Sequence, residues 1–169
     1  WGRPFRCSII GDGPCRDRLV EQARRLRLEH HVTFHGAQSN DEVYWALRRH
    51  DVLVAPCCLA SDGDRDGLPT VLMEALSCGV PVVASSFAAI PELVVDGETG
   101  RLVSPNAPVA LARTLRRLFD RPWHAFHMGL EGREQVCRHF RLEREVETLD
   151  AWIRATSAES APRTDLPHT

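Results

Sequence analysis

Three times before Gly79 a short apolar run ends in a turn containing glycine or proline and gives way to a segment whose apolar residues recur at helical spacing. Such a repeat predicts strand, turn, helix and strand again. The runs are residues 5–10, 32–34, 52–55 and 80–84, with a further short one at 101–103. Helices are expected over 16–28, 39–49 and 69–78. Leu19, Ala23 and Leu26 share one face of the first, and Ser39 with Glu42 has capping-box spacing at the start of the second. Pro69 suits the first position of the third, and Gly79 stops it. Strands joined through helices run parallel and need cover on both sides, so the fold class expected is α/β, a parallel sheet with helices on both faces. Past Pro105 the pattern becomes wholly helical, over 108–120, 123–138 and 142–155, and the last helix places Leu142, Val146, Leu149 and Ile153 on one face. The 169 residues suffice for one domain, expected over 1–155, with 156–169, rich in Ser, Pro and charge, as a disordered tail.

Ligands of an open parallel sheet gather at the carboxyl ends of its strands. The loops there are 11–14, 35–38, 56–69 and 85–92, and they should converge on one cleft. The stretch 62–84, DGDRDGLPTVLMEALSCGVPVVA, carries the most chemistry. Gly67 lets backbone approach a ligand closely, and the amides at the helix start attract phosphate. Asp66 in the loop and Glu74 about a turn and a half into the helix offer carboxylates to the vicinal hydroxyls of a sugar or a ribose.

Other chemistries fit less well. The net charge of −2 gives no general attraction to nucleic acid or anionic lipid. All 21 cationic side chains counted as Lys and Arg are arginine, which removes lysine as phosphate clamp, Schiff base or general base. No apolar run is long enough to span a bilayer, and no basic-then-apolar leader is present. Gly11-Asp12-Gly13 could begin a dinucleotide fingerprint, but Arg16 stands where the last glycine belongs and no acid ends the second strand. No nucleophile-elbow sequence surrounds Ser85-Ser86. The six cysteines, Cys7, Cys15, Cys57, Cys58, Cys78 and Cys137, form no C-x-x-C pair. They read as reduced, mostly buried thiols in a cytoplasmic protein, with no metal site expected. His35 ends a strand on the ligand side, where a satisfied loop histidine is the ordinary reading. Packing accounts for Trp1, Trp45, Trp123 and Trp152 better than ligand stacking does.

The order acid, Gly-Leu-Pro, four residues, Glu-Ala, then Gly-Val-Pro-Val-Val-Ala resembles the donor-site motif of the retaining group-1 glycosyltransferases, whose signature is two glutamates with seven residues between them. Asp66 and Glu74 have that spacing. IIGDGP at 9–14 and IPELVVDGETGRLVSP at 90–105 continue the pattern in register, so the resemblance covers residues 5–105. It implies one Rossmann-like half of a GT-B fold, the C-terminal half that holds a nucleotide sugar. Its partner would be the N-terminal half of the same enzyme, against which a glycan or lipid-linked acceptor lies, and through which the enzyme could meet a membrane surface.

The resemblance also implies roles. Asp66 would hold hydroxyls of the transferred hexose and Glu74 the ribose diol, and together they form the expected catalytic pair. The backbone of Gly67, Leu68, Pro69 and Thr70 would meet sugar and diphosphate. Gly11 and Gly13 would lie at the donor, and His35, Gly36, Ala37 and Gln38 near the base. The reaction is glycosyl transfer with retention, needing no metal or other cofactor, in which the departing diphosphate helps to take the acceptor proton. Two positions depart from the family. The first acid is aspartate, one methylene short, and Ala88-Ala89 occupy a turn that is commonly glycine-rich. The Arg and Lys pair that clamps the diphosphate belongs to a segment before the strand at Phe5. A non-catalytic nucleotide-sugar binding or assembly module using the same pocket is the rival class.

Overall fold

In the computed structural model, which describes residues 4–59, 63, 66–140 and 142–159, strands and helices alternate through the first two thirds of the chain. The order is β1 (Cys7–Ile10), α1 (Arg16–Arg25), β2 (Val32–Gly36), α2 (Asn40–Leu47), β3 (Leu53–Ala55), α3 (Thr70–Ser77), β4 (Val82–Ser85), α4 (Ile90–Leu93) and β5 (Gly100–Val103). Three helices follow: α5 (Pro108–Asp120), α6 (Pro122–His139) and α7 (Leu142–Glu159). Every strand pairing is parallel. The fold is the expected α/β, Rossmann-like arrangement.

The centre of the molecule is β4. Its residues alternate between faces, as strand geometry requires. Val82 and Ala84 enter a cluster with Leu72, Ala75 and Leu76 of α3 and with Ile90 and Leu93 of α4. Val83 enters a second cluster with Val103 of β5, Leu118 of α5 and Met128 of α6. All four residues of β4 are buried, so helices cover this sheet on both faces. Full burial of side chains this size is worth roughly 1.5–3 kcal/mol each, which makes β4 and α3 the firmest ground for a site.

Local signals explain most boundaries. Glu42 N–H donates to Ser39 Oγ (3.3 Å) and Ser39 N–H to the Glu42 carboxylate (2.8 Å), a complete capping box at the start of α2. These bonds from the Ser39 N–H and hydroxyl hold the Glu42 carboxyl below its ordinary value. The box therefore stabilises α2 above the unfolded pKa of Glu42, and that contribution is lost as pH falls through the lowered folded value. The helix α1 ends before its predicted limit because Leu26 caps it and Arg27 turns left-handed at φ 57°. One turn of helix, α4, was not anticipated. The helix α7 runs to Glu159 rather than Ala155, and the rest of the expected tail lies outside the described residues.

The strands divide into two sheets, β1-β2 and β3-β4-β5. The crossover from β2 through α2 carries the chain past β1, for the ring of His50 beyond α2 meets Ser8 Oγ of β1 at 2.9 Å. Yet β3 then pairs only with β4. Two further expectations fail for a related reason. The cysteines are not buried: Cys7, Cys15, Cys58 and Cys137 are exposed and Cys57 and Cys78 half-buried. Trp45, Trp123 and Trp152 are 55%, 77% and 69% exposed, so packing within the described chain does not explain them, and Trp1 lies outside it. Cys57 and Cys78 pack against the core at its margin, and the exposed cysteines and tryptophans lie outside it.

Candidate functional site

Burial of Leu72, Ala75 and Leu76 fixes the rotation of α3, and it leaves Thr70, Glu74 and Ser77 on the exposed face. Thr70 and Glu74 are one turn apart, and helical side chains lean toward the N-terminus, so the Glu74 carboxylate is carried back over the helix start. Pro69 is not the first helical residue as expected but the residue before it, because its ψ of 123° is extended; the first position is Thr70. No side chain caps this start, and the Pro69 carbonyl accepts the Leu72 N–H at 3.1 Å. Leu68 packs against the core cluster beneath and anchors the turn.

Gly67 sits where neither packing nor conformation demands a glycine. A Cβ there would meet no described atom within 4 Å, and its φ is not left-handed. Gly13 is the same, whereas Gly11 (φ 126°) and Gly36 (φ 71°) are held in conformations that other residues avoid. The space beside Gly67 is open among the described residues. Gly67→Ala is expected to leave the denaturation midpoint within about 0.5 kcal/mol of the parent, as a surface substitution does, while weakening binding of a ligand seated on α3. A marked loss of stability would show that Gly67 serves the fold.

The loop after β4 closes on this turn. Ala89 N–H donates to the Gly67 carbonyl at 3.1 Å, and Ala88 takes a left-handed φ of 48° to allow it. Sequence reading missed this clasp, although the departure at Ala88-Ala89 was its visible sign: alanine keeps the geometry that glycine would reach without strain. Left-handed backbone costs an L-residue roughly 1–2 kcal/mol, more than the unfolded-state entropy that glycine adds, so Ala88→Gly should gain about 0.5 kcal/mol. Ala89→Gly, at φ −85°, should gain nothing. Chemical denaturation of the two variants checks the difference in sign.

Asp66 is exposed beside the half-buried Cys57. Burial pushes the Cys57 thiol up, and the Asp66 carboxylate and Cys58 add to the shift. Cys57 is thereby kept as a thiol. Among the described residues neither Asp66 nor Glu74 hydrogen-bonds a side chain, and both are exposed.

The remaining predicted residues form a second group. Gly11 N–H donates to the Gly36 carbonyl (2.8 Å), tying the turns after β1 and β2 together, and Gly13 N–H donates to the Asp12 carboxylate (2.7 Å). The Gln38 amide is spent on the carbonyls of His35 and Ala37, both at 3.1 Å. His35 is exposed and, with Gln38, lines a groove of about 500 Å³ between β1, β2 and α2. None of residues 66–74 lines that groove. The structure thus places the predicted residues in two groups, one on α3 and one on the β1-β2 turns.

Beyond them, a pinned loop precedes β5. Thr99, only 6% exposed, accepts the Val95 N–H on its hydroxyl (2.9 Å), and Asp96 accepts the Leu102 N–H (2.9 Å) and pairs with Arg101 (3.3 Å). Among the described residues no group of three His, Cys, Asp or Glu side chains is placed to hold a metal ion, and no helix is long and apolar enough to cross a membrane.

Comparison with known proteins gives a consistent picture. The family described as glycosyl transferases group 1 matches residues 2–135. The GDP-mannose-dependent alpha-(1-6)-phosphatidylinositol monomannoside mannosyltransferase of Mycolicibacterium smegmatis is 35% identical over 127 residues, 75% of this chain and 33% of that protein. The amylovoran biosynthesis glycosyltransferase AmsK of Erwinia amylovora is 36% identical over 139 residues, 82% of this chain and 34% of its own length. The crystal structure of Alr3699/HepE from Anabaena, in complex with UDP-glucose, superposes with a TM-score of 0.75 at 23% identity, covering 86% of this chain and 41% of that one. The chain spans about a third of the length of the curated relatives it matches.

Proposed function

This chain belongs to the group 1 glycosyl transferases, and on that premise we propose that it is the donor-binding portion of a retaining glycosyltransferase, taking a hexose from a nucleoside-diphosphate sugar to a hydroxyl acceptor. The observation that carries the reading is the arrangement on α3: a helix start with no side-chain cap, a glycine beside it with open space among the described residues, and two exposed carboxylates with no described side-chain hydrogen-bonding partner. The printed names of one relative and one structural neighbour, GDP-mannose-dependent in one and in complex with UDP-glucose in the other, support a nucleotide-sugar donor while differing in the base.

In this reading the diphosphate lies against the amides of Thr70 and Val71, where the helix dipole favours negative charge. Glu74 accepts the two hydroxyls of the ribose, which a carboxylate can do in bidentate fashion. Asp66 accepts hydroxyls of the hexose, and its shorter side chain places that sugar closer to the Gly67 turn than a glutamate would. His35 and the backbone of Gly36, Ala37 and Gln38 meet the base. Retention follows if the acceptor attacks from the face that the diphosphate leaves, with a phosphate oxygen taking the acceptor proton. The protein's part is to hold the two substrates in line and to stabilise the charge that develops on the leaving diphosphate.

Nucleotide titration of the full-length protein tests the division of labour. Glu74→Ala should weaken nucleoside-diphosphate binding by roughly 1–3 kcal/mol, the scale for losing a charged hydrogen-bonding partner. Asp66→Asn should spare the free diphosphate and lower sugar transfer. Equal losses of diphosphate affinity in the two folded variants would overturn the assignment.

A further inference from the structure

Trp123, Phe126 and Leu130 of α6 are 77%, 52% and 43% exposed. Burial of Met128, Gly129, Gly132 and Val136 fixes the rotation of that helix, and it leaves these three, spaced by three and then four residues, on the side turned outward. The rings of Trp123 and Phe126 meet edge to face with centroids 6.2 Å apart, so they form one apolar ridge. Neither ring belongs to a core cluster.

The net charge of −2 conceals an uneven distribution beside this ridge. Residues 108–130 carry Arg113, Arg116, Arg117 and Arg121 against the single acid Asp120, a formal charge of +3 with histidine neutral. All four arginines are exposed. Arg116 lies 3.9 Å from Asp120, whereas Arg113, Arg117 and Arg121 pair with no acid among the described residues. Arg121 is the joint between α5 and α6, and its carbonyl accepts the Ala125 N–H at 3.1 Å, so charge and ridge adjoin in the chain. Glu98 and Glu131 border a hollow shared with His124 and His127, which none of the three apolar residues lines.

The place of the ridge in the fold limits what can reach it. The helix α3 begins at Thr70 beside the Gly67 turn, and its 8 residues carry the chain to Gly79, about 12 Å away along the axis. It is the Gly79 end that α6 touches, since a Cβ at Gly129 would meet the Gly79 carbonyl. The ridge thus sits toward the amino ends of the strands, and the ligand loops lie at the other end. A second half of the enzyme closing over those loops would leave it uncovered.

We propose that the α5-α6 joint docks on an anionic lipid bilayer, with the Trp123 and Phe126 rings entering the headgroup zone and the arginines on lipid phosphates and carboxylates. Aromatic rings favour that zone, and arginine lays its stem along apolar surface while its charge reaches an anion. A second copy of the chain fits poorly, because ridge against ridge would bring two segments of like charge together. Docked in this way the domain turns its ligand loops toward water. The inference stands apart from the sugar-transfer reading, because it uses none of the residues placed at the donor.

Cosedimentation of the full-length protein with vesicles tests it, comparing pure phosphatidylcholine with phosphatidylcholine carrying about 30% phosphatidylserine. The expected result is binding to the anionic vesicles at least about tenfold tighter than to the neutral ones, and weakened about tenfold by Trp123→Ser with Phe126→Ser or by Arg117→Glu with Arg121→Glu. These side chains are exposed, so the unfolding midpoint should hold, and nucleoside-diphosphate affinity should not change. Vesicle binding that survives both pairs of substitutions would place the contact elsewhere in the longer protein and overturn the proposal. So would equal binding to neutral vesicles, equally tight binding to polyglutamate, which would assign the arginines to an acidic protein, or an oligomer that the serine variant dissolves. Tryptophan emission gives an independent readout: quenching by brominated acyl chains should drop in Trp123→Phe while vesicle affinity stays within about threefold. Unchanged quenching in that variant would overturn the entry of this ring into the bilayer.

Discussion

Residues 1–169 alone are expected to bind a nucleoside diphosphate weakly and to release no sugar from its sugar conjugate. Transfer requires acceptor, donor and departing diphosphate to be held in line with water excluded, and positioning of that kind contributes about 7–11 kcal/mol of barrier lowering. The α3 site is exposed: Asp66, Glu74 and Thr70 all face solvent. Its helix start offers the diphosphate only about 0.3–1 kcal/mol of dipole stabilisation in such a setting. Calorimetry with uridine, guanosine and adenosine diphosphates, beside release of label from a sugar donor, should therefore show measurable binding without turnover. Turnover near the rate of the full-length protein would mean that the described residues form a complete active site, and would end the reading of this chain as one portion of it.

Gly129→Ala is expected to cost about 3 kcal/mol of stability, the upper part of the range for overpacking, because the obstacle is backbone. A Cβ at Gly129 of α6 would fall inside the contact distance of the Gly79 carbonyl oxygen, with the Gly79 carbonyl carbon only 2.9 Å away. Gly79 cannot yield easily. It ends α3 at φ 74°, and its N–H is bound to the Leu76 carbonyl at 2.8 Å. One turn further on, a Cβ at Gly132 would lie 2.5 Å from Leu76 Cδ2 and 3.1 Å from the Thr99 carbonyl oxygen. The two glycines let α6 lie directly on α3, so Gly129→Ala should push apart the pair of helices that supports Glu74. Denaturant unfolding of the variant should show the loss, and nucleotide affinity should fall with it. An unchanged unfolding midpoint would show that α6 can shift aside freely.

The alternation of runs, the capping box at Ser39 and Glu42, and the limits of α5 were legible because each is a local signal within a few residues. The helix α4 was not, since a single turn around Pro91 leaves too few residues for a period to show. Gly129 and Gly132 read in sequence as weak points of a helix, and only the position of α3 reveals them as contacts. The division of the sheet was equally hidden. A strand's pattern says which residues face inward and nothing about which neighbour it finds, so β1 and β3 looked like members of one continuous sheet. At the site, the acids and glycines were visible as chemistry. The clasp of Ala89 on Gly67 and the separation of His35 from α3 depend on loops whose course no periodicity records.

The helix α7 decides what a thermal melt of this chain will report. Val146, Leu149, Trp152 and Ile153 are each more than half exposed along its 18 residues. A helix that leaves so much of its apolar face to water draws little stability from packing, so its ellipticity should fade gradually with temperature while the ground around β4 remains folded. Helical signal will then decline ahead of the calorimetric heat-absorption peak, and a midpoint taken from circular dichroism will understate the stability of the domain body. Trp152, already 69% exposed, will emit like a solvated indole from the first degree and barely register the transition that matters.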